Sequence, residues 1–126
     1  MSKLTLELMD EIFAIHSLAV NSSIPPEVFD AQVYFIAKTY EEISIVLPEE
    51  VDINSDEVEP DWRALEVVGP LGFSLTGILS NISAVLADKK ISIFAISTFD
   101  TDYILVKNNK ITEAITALRE NNYQVI

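Results

Sequence analysis

The chain has three glycines, and all of them flank one serine: Gly69 and Gly72 precede Ser74, and Gly77 follows it. The stretch Gly69-Pro-Leu-Gly-Phe-Ser-Leu-Thr-Gly-Ile-Leu79 closes an extended apolar run, residues 62–68, and opens a helical pattern. Glycine serves where backbone bends tightly or comes close to another group. A turn into a helix start leaves N–H groups without partners. With the positive end of the helix dipole they form an anion site, suited to the carboxylate of a small amino acid. The plain alternative is a strand-to-helix turn with Ser74 as N-cap, and from physics alone it is the commoner use of such residues.

Asp100 and Asp102 form the second chemical group, two apart in the turn Phe99-Asp-Thr-Asp102. An aspartate there can receive an ammonium or guanidinium in a charge-assisted hydrogen bond. It can equally cap the turn through backbone N–H groups. Ser97 and Thr98 can bridge polar groups of a ligand or serve as ordinary strand residues.

No nucleophile and base stand in a catalytic context, since there is no G-x-S-x-G turn and only one histidine. Neither a Walker A nor a dinucleotide fingerprint occurs, so no cofactor is expected and the chain reads as not an enzyme. His16 lies in an apolar strand with no second ligand beside it and reads as a packed histidine. Trp62 reads as a core or interface anchor. Residues 49–61 hold seven acids and no base, but their spacing does not match an EF-hand loop. No metal is expected.

The 126 residues carry a formal charge of −12, with 49% hydrophobic residues and a mean hydropathy of +0.29. Residues 1–60 hold 13 acids and 2 bases, and residues 61–126 hold 7 and 6. Nucleic-acid binding needs clustered bases and is not expected; anionic membranes are disfavoured for the same reason. No apolar run nears the roughly 20 residues of a membrane span, and the alternating first residues do not read as a signal peptide. Without cysteine there is no disulfide or thiolate site. A cytoplasmic setting is expected.

Periodicity supplies the elements that hold these groups. Leu4, Leu6 and Leu8 alternate with polar residues, predicting a strand; a turn at Asp10-Glu11 and a second strand over 12–20 follow. A helical turn near 27–30 and strands over 33–39 and 43–47 complete a strand-rich first half. The acidic run between Pro48 and Pro60 reads as a solvated connector. In the second half, Leu75, Ile78, Leu79, Ile82, Val85 and Leu86 trace one helical face. Strands are expected over 62–68, 91–98, 103–107 and 123–126, the second of them internal and covered on both faces. A second helix over 111–118, capped by Asn108 or Asn109, completes strand, helix, strand, strand, helix, strand. The class is α+β: an antiparallel sheet with both helices on one face. The opposite face, carrying Phe94 and Ile96, needs cover from the first half or from a second copy.

Ser97-Thr-Phe-Asp-Thr-Asp-Tyr-Ile-Leu-Val-Lys107, preceded by Ile91-Ser-Ile-Phe-Ala-Ile, resembles the ACT domain family, in the branch that includes the cytosolic arginine sensors (CASTOR). The resemblance covers residues 62–126, with a looser likeness over 1–48. It implies two ACT-like, ferredoxin-like units: a reduced N-terminal unit over 1–48, a connector over 49–61 and an ACT domain over 62–126. It further implies a non-catalytic regulatory domain that binds an amino acid where two ACT units meet. Carried over by position, the ligand residues are Ser74, Leu75, Thr76, Gly77 and Ile78, with Ser97, Thr98, Phe99, Asp100 and Asp102. Many ACT domains have Asp-x-Pro-Gly where this chain has Ser74-Leu-Thr-Gly77, so the acid that would face a ligand amine is missing.

Two functional classes follow. The first is an amino-acid sensor, a homodimer with a mild preference for basic ligands and a regulated protein partner downstream. The second is an interaction module that kept the fold without a ligand and uses its acidic half to dock a basic protein.

Overall fold

Alternating apolar residues set the strands, and the computed structural model describes residues 4–68 and 76–126. The order begins β1 (Thr5–Leu18), a 3-10 turn (Pro26–Asp30), β2 (Phe35–Lys38), β3 (Ile43–Pro48) and β4 (Glu57–Val67). It continues α1 (Ile78–Asp88), β5 (Phe94–Ser97), β6 (Asp102–Lys107), a 3-10 turn (Asn108–Lys110), α2 (Ile111–Glu120) and β7 (Gln124–Val125). Two units are distinguished, one formed by residues up to Asp10 with Arg63–Ile126, the other by Glu11–Trp62.

The first unit is the α+β body expected of the second half. Its strands run in the order β7-β1-β4-β6-β5. β5 and β6 are antiparallel, with Phe94 opposite Leu105 and Ser97 opposite Asp102. β7 lies parallel to β1, pairing Thr5 with Gln124 and Leu6 with Val125. Both helices cover one face: Ile82 and Leu86 of α1 and Ala114 and Leu118 of α2 join Leu6, Leu65, Val67, Ile104 and Val106 in one buried cluster. Burial of each Leu or Ile there contributes about 1.5–3 kcal/mol.

Both helices end alike. Lys90 (φ 59°) and Asn122 (φ 72°) adopt the left-handed conformation. The next N–H groups, of Ile91 and Tyr123, donate to Leu86 and Leu118 at 3.0 Å each, closing helix ends in the way glycine usually does.

The second unit is strand-rich and holds no α-helix. Its ladder is β2-β3-β1, antiparallel throughout, with His16 opposite Ile45 and Ile36 opposite Ile45 on the other side. Leu18, Val28, Ile43, Ile45 and Leu47 form its core, with Tyr34, Ile36, Val51 and Ile53 packed on it. Val28 reaches that core from the Pro26–Asp30 turn, where proline suits the first helical position.

Several elements differ from expectation. Asp10-Glu11 is no turn, because β1 runs unbroken through it, pairing with β7 at one end and β3 at the other. The residues up to Asp10 consequently group with the second half of the chain. The acidic run over 49–61 is only partly loop: β4 starts at Glu57, and Asp61 within it has φ 73°. β5 is four residues long and stands at the edge of its ladder rather than inside it. Ile91 joins the helix-side cluster and pairing begins at Phe94, which shortens the strand, while β6 is its sole neighbour in the sheet order. α2 has no side-chain cap, since Asn108 and Asn109 form the 3-10 turn before it.

Candidate functional site

α1 starts at Ile78 with Gly77 at its N-cap, where the spacing predicted a helix from Leu75 with Ser74 as N-cap. Gly77 has φ 77° and ψ 0°, which a side-chain-bearing residue rarely adopts. Its carbonyl accepts the Asn81 N–H at 2.9 Å, forming the first helical bond. A Cβ built on Gly77 would meet only the Asn81 Nδ2 at 3.6 Å. Glycine is therefore required there by backbone conformation and not by crowding. Among the described residues no side chain caps this end, and no acid occupies the first turn. The N-terminal dipole of α1 is thus not neutralised by the chain's own acids in that turn. Thr76 and Gly77 are exposed and Ile78 is half-buried. Ser74 and Leu75 lie outside the described residues.

The hairpin between β5 and β6 is a hydrogen-bonded clasp. Ser97 Oγ donates to Asp102 Oδ1 at 2.6 Å. The Thr98 N–H donates to the Thr101 carbonyl at 2.8 Å, and the Thr101 N–H donates back to Thr98 Oγ1 at 3.3 Å. Phe99 and Asp100 form the tip, with Phe99 81% exposed. Asp102 therefore has one oxygen committed to the turn, while Asp100 stands in solvent. Ser97, Thr98, Asp100 and Asp102 are brought together within the same six residues.

Thr101 was not singled out in the sequence, yet it anchors this group. It is 6% exposed, and its hydroxyl donates to the Val67 carbonyl at the end of β4. Four residues of turn chemistry surround it, and a threonine between two aspartates gives no pattern that marks burial. The bond links the hairpin to the strand that leads into the glycine-bearing turn. Beside it, the Tyr103 hydroxyl donates to Glu66 Oε2 at 3.4 Å. Burial, then the nearby Glu66 carboxylate, raises the Tyr103 pKa above its ordinary value.

His16 belongs to the other unit and takes no part in this group. It is 7% exposed, with Nδ1 2.8 Å from Ser55 Oγ. Burial lowers its pKa, partly offset by Asp52. Among the described residues, no three His, Asp or Glu side chains are placed to hold a metal ion. Among them, too, no helix is long and apolar enough to cross a membrane.

The βαββαβ body thus presents a helix start with no acid in its first turn and a clasped hairpin tied to the end of β4. The match to the ACT domain covers residues 57–120, and the chain belongs to the ACT domain family. It is 33% identical over 124 residues to the human cytosolic arginine sensor for mTORC1 subunit 1. That alignment takes in 89% of this chain and 37% of the sensor, so the chain spans little more than a third of its relative. Among solved structures it is similar to Atu0741 of Agobacterium tumefaciens, with 28% identity and a TM-score of 0.90 over 100% of this chain and 94% of that one. The regulatory subunit of aspartate kinase from Thermus thermophilus shares the fold, at a TM-score of 0.63 and 12% identity over 91% of this chain and 94% of that one. Two of these three carry a regulatory description, one as an arginine sensor and one as a regulatory subunit.

Proposed function

We propose that the chain senses a small amino acid and passes that state to a protein partner, without catalysis of its own. The ligand carboxylate lies at the start of α1, among Ser74, Leu75, Thr76, Gly77 and Ile78. Its cationic groups face the hairpin residues Ser97, Thr98, Phe99, Asp100 and Asp102 of the neighbouring ACT unit, in a second copy of the chain. The observation that carries this reading is the Thr101 to Val67 bond, which holds the hairpin against the end of β4. Asp100 is the exposed carboxylate of the pair, and a basic amino acid is the preferred ligand. The 33% identity to a protein named as an arginine sensor supports the same preference.

The assembly is a twofold homodimer in the cytoplasm, with ligand at the seam between ACT units. Ligand that binds only the assembled form stabilises it by about 2.7 kcal/mol at one hundred times Kd. Thermal melts with each of the twenty amino acids at millimolar concentration, paired with light scattering for mass, test this. A raised melting temperature with arginine or lysine and a dimeric mass are expected. A flat response to all twenty would reject the sensor.

One observation favours the second reading, an interaction module without ligand. Ser97 already occupies an oxygen of Asp102, as a purely structural turn would have it. Partner capture that ignores every amino acid would then be the outcome.

A further inference from the structure

The unit formed by Glu11–Trp62 holds twelve acids and a single base, Lys38. A groove of about 560 Å³ opens in it between the Pro26–Asp30 turn and the segment that follows β3. Val33, Pro48 and Val51 give it an apolar wall, and Glu11, Glu27, Asp30 and Glu50 supply carboxylates. No base lines it. Like charges gathered around one hollow repel, and a cation brought between them relieves that repulsion. Phe29, in the same turn as Glu27 and Asp30, is 54% exposed. Its ring is held edge-on to Tyr34, with centroids 5.8 Å apart. Tyr34 in turn packs on the core of the unit. An exposed aromatic fixed from below is a preorganised contact for another protein.

We propose that this groove docks a basic segment of a protein partner, an arginine or lysine side chain entering among the carboxylates while a neighbouring apolar residue rests on Phe29. Charge complementarity selects the occupant: a second copy of this unit, with twelve acids and one base, would add repulsion at the groove. A lone metal ion is not suited, because among the described residues no three carboxylates converge. Arginine fits best, since its planar fork bonds carboxylates in pairs and its face stacks on an aromatic ring. This surface lies within one unit, and the residues around α1 and the hairpin belong to the other.

The test is amide chemical-shift mapping on the isotope-labelled full chain, titrated with a capped hexapeptide of alternating leucine and arginine. Controls are the same peptide with glutamine for arginine, free arginine and spermidine. Saturable shifts at residues 27–33 and 48–51 with the arginine peptide alone are expected. Joint replacement by Glu27→Gln, Asp30→Asn and Glu50→Gln should weaken binding about tenfold or more. Phe29→Leu should preserve the fold and weaken binding several-fold; circular dichroism confirms that each variant is folded. Free arginine or spermidine saturating the same amides as tightly as the peptide would overturn the proposal in favour of a small-cation site. Equal binding of the glutamine peptide, unsaturable shifts scattered over the acidic surface, or no shift at all would also overturn it.

Discussion

The Thr101 hydroxyl donates to the main-chain carbonyl of Val67, so a residue in a hairpin tip and the last residue of β4 are held together inside the protein. Both partners are buried, Thr101 at 6% and Val67 at 0% exposure. A buried hydrogen bond is modest in net terms, but an orphaned carbonyl is costly. Thr101→Val keeps the shape, deletes the donor and should lower stability by about 1–3 kcal/mol. Urea denaturation reads that loss. If the bond also sets the hairpin for ligand, the same variant should weaken amino-acid binding more than Thr98→Val does.

Gly77 should be intolerant for a conformational reason. Its φ of 77° excludes most side chains, while the space around it is open. Gly77→Ala should cost about 1–2 kcal/mol, and Gly77→Asn, which visits that conformation more readily, should cost less. Thermal melts of the two variants check the order. A reversed order would show that space, and not φ, governs the position.

Asp100 and Asp102 should separate into ligand and scaffold. Asp102 accepts from Ser97 at 2.6 Å, while Asp100 is exposed. Asp100→Asn should leave the melting temperature unchanged and weaken a basic amino acid about tenfold. Asp102→Asn should lower both stability and affinity. Calorimetric titration with arginine beside a melt of each variant distinguishes them.

His16 makes the Glu11–Trp62 unit sensitive to mild acid. Burial lowers its pKa from 6.5, with Asp52 acting in the opposite direction. Between the ordinary and the lowered value the unfolded chain binds the proton better. Stability is therefore full above about pH 6.5 and falls as pH drops through the window below it. The loss levels off once the lowered value is passed. His16→Gln should remove this component, and urea midpoints near neutrality and in mild acid compare the two proteins. An unchanged slope in the variant would assign the acid sensitivity to other groups.

Much of this was legible in the sequence because the second half keeps clean periods. Ile82 and Leu86 could be placed on one helix face from spacing alone, and both prove to be core residues. The ACT likeness rested on the run from Ser97 to Lys107, which the family match contains. Long-range pairing was not legible. Nothing local in Asp10-Glu11 shows that the strand continues, since its ladder partners are β3 and β7, distant in sequence. Charge misled in the same way at Glu57 and Glu59, whose exposed side chains hide a laddered backbone. At the candidate site, Gly77 was visible as a glycine, but Thr101 was not, because burial of a turn hydroxyl depends on a strand 34 residues away.

The parallel pairing of Thr5 with Gln124 has a consequence for how the protein comes into being. Contacts so remote along the chain make folding slow, and the sheet of that unit lacks its terminal strand until residue 124 has been synthesised. A fragment beginning at residue 62 would keep both helices yet carry a missing slat between β4 and β7. Nascent chains would be exposed to mispairing at that gap, and any shortened version of the protein has to retain Thr5–Asp10 to close it.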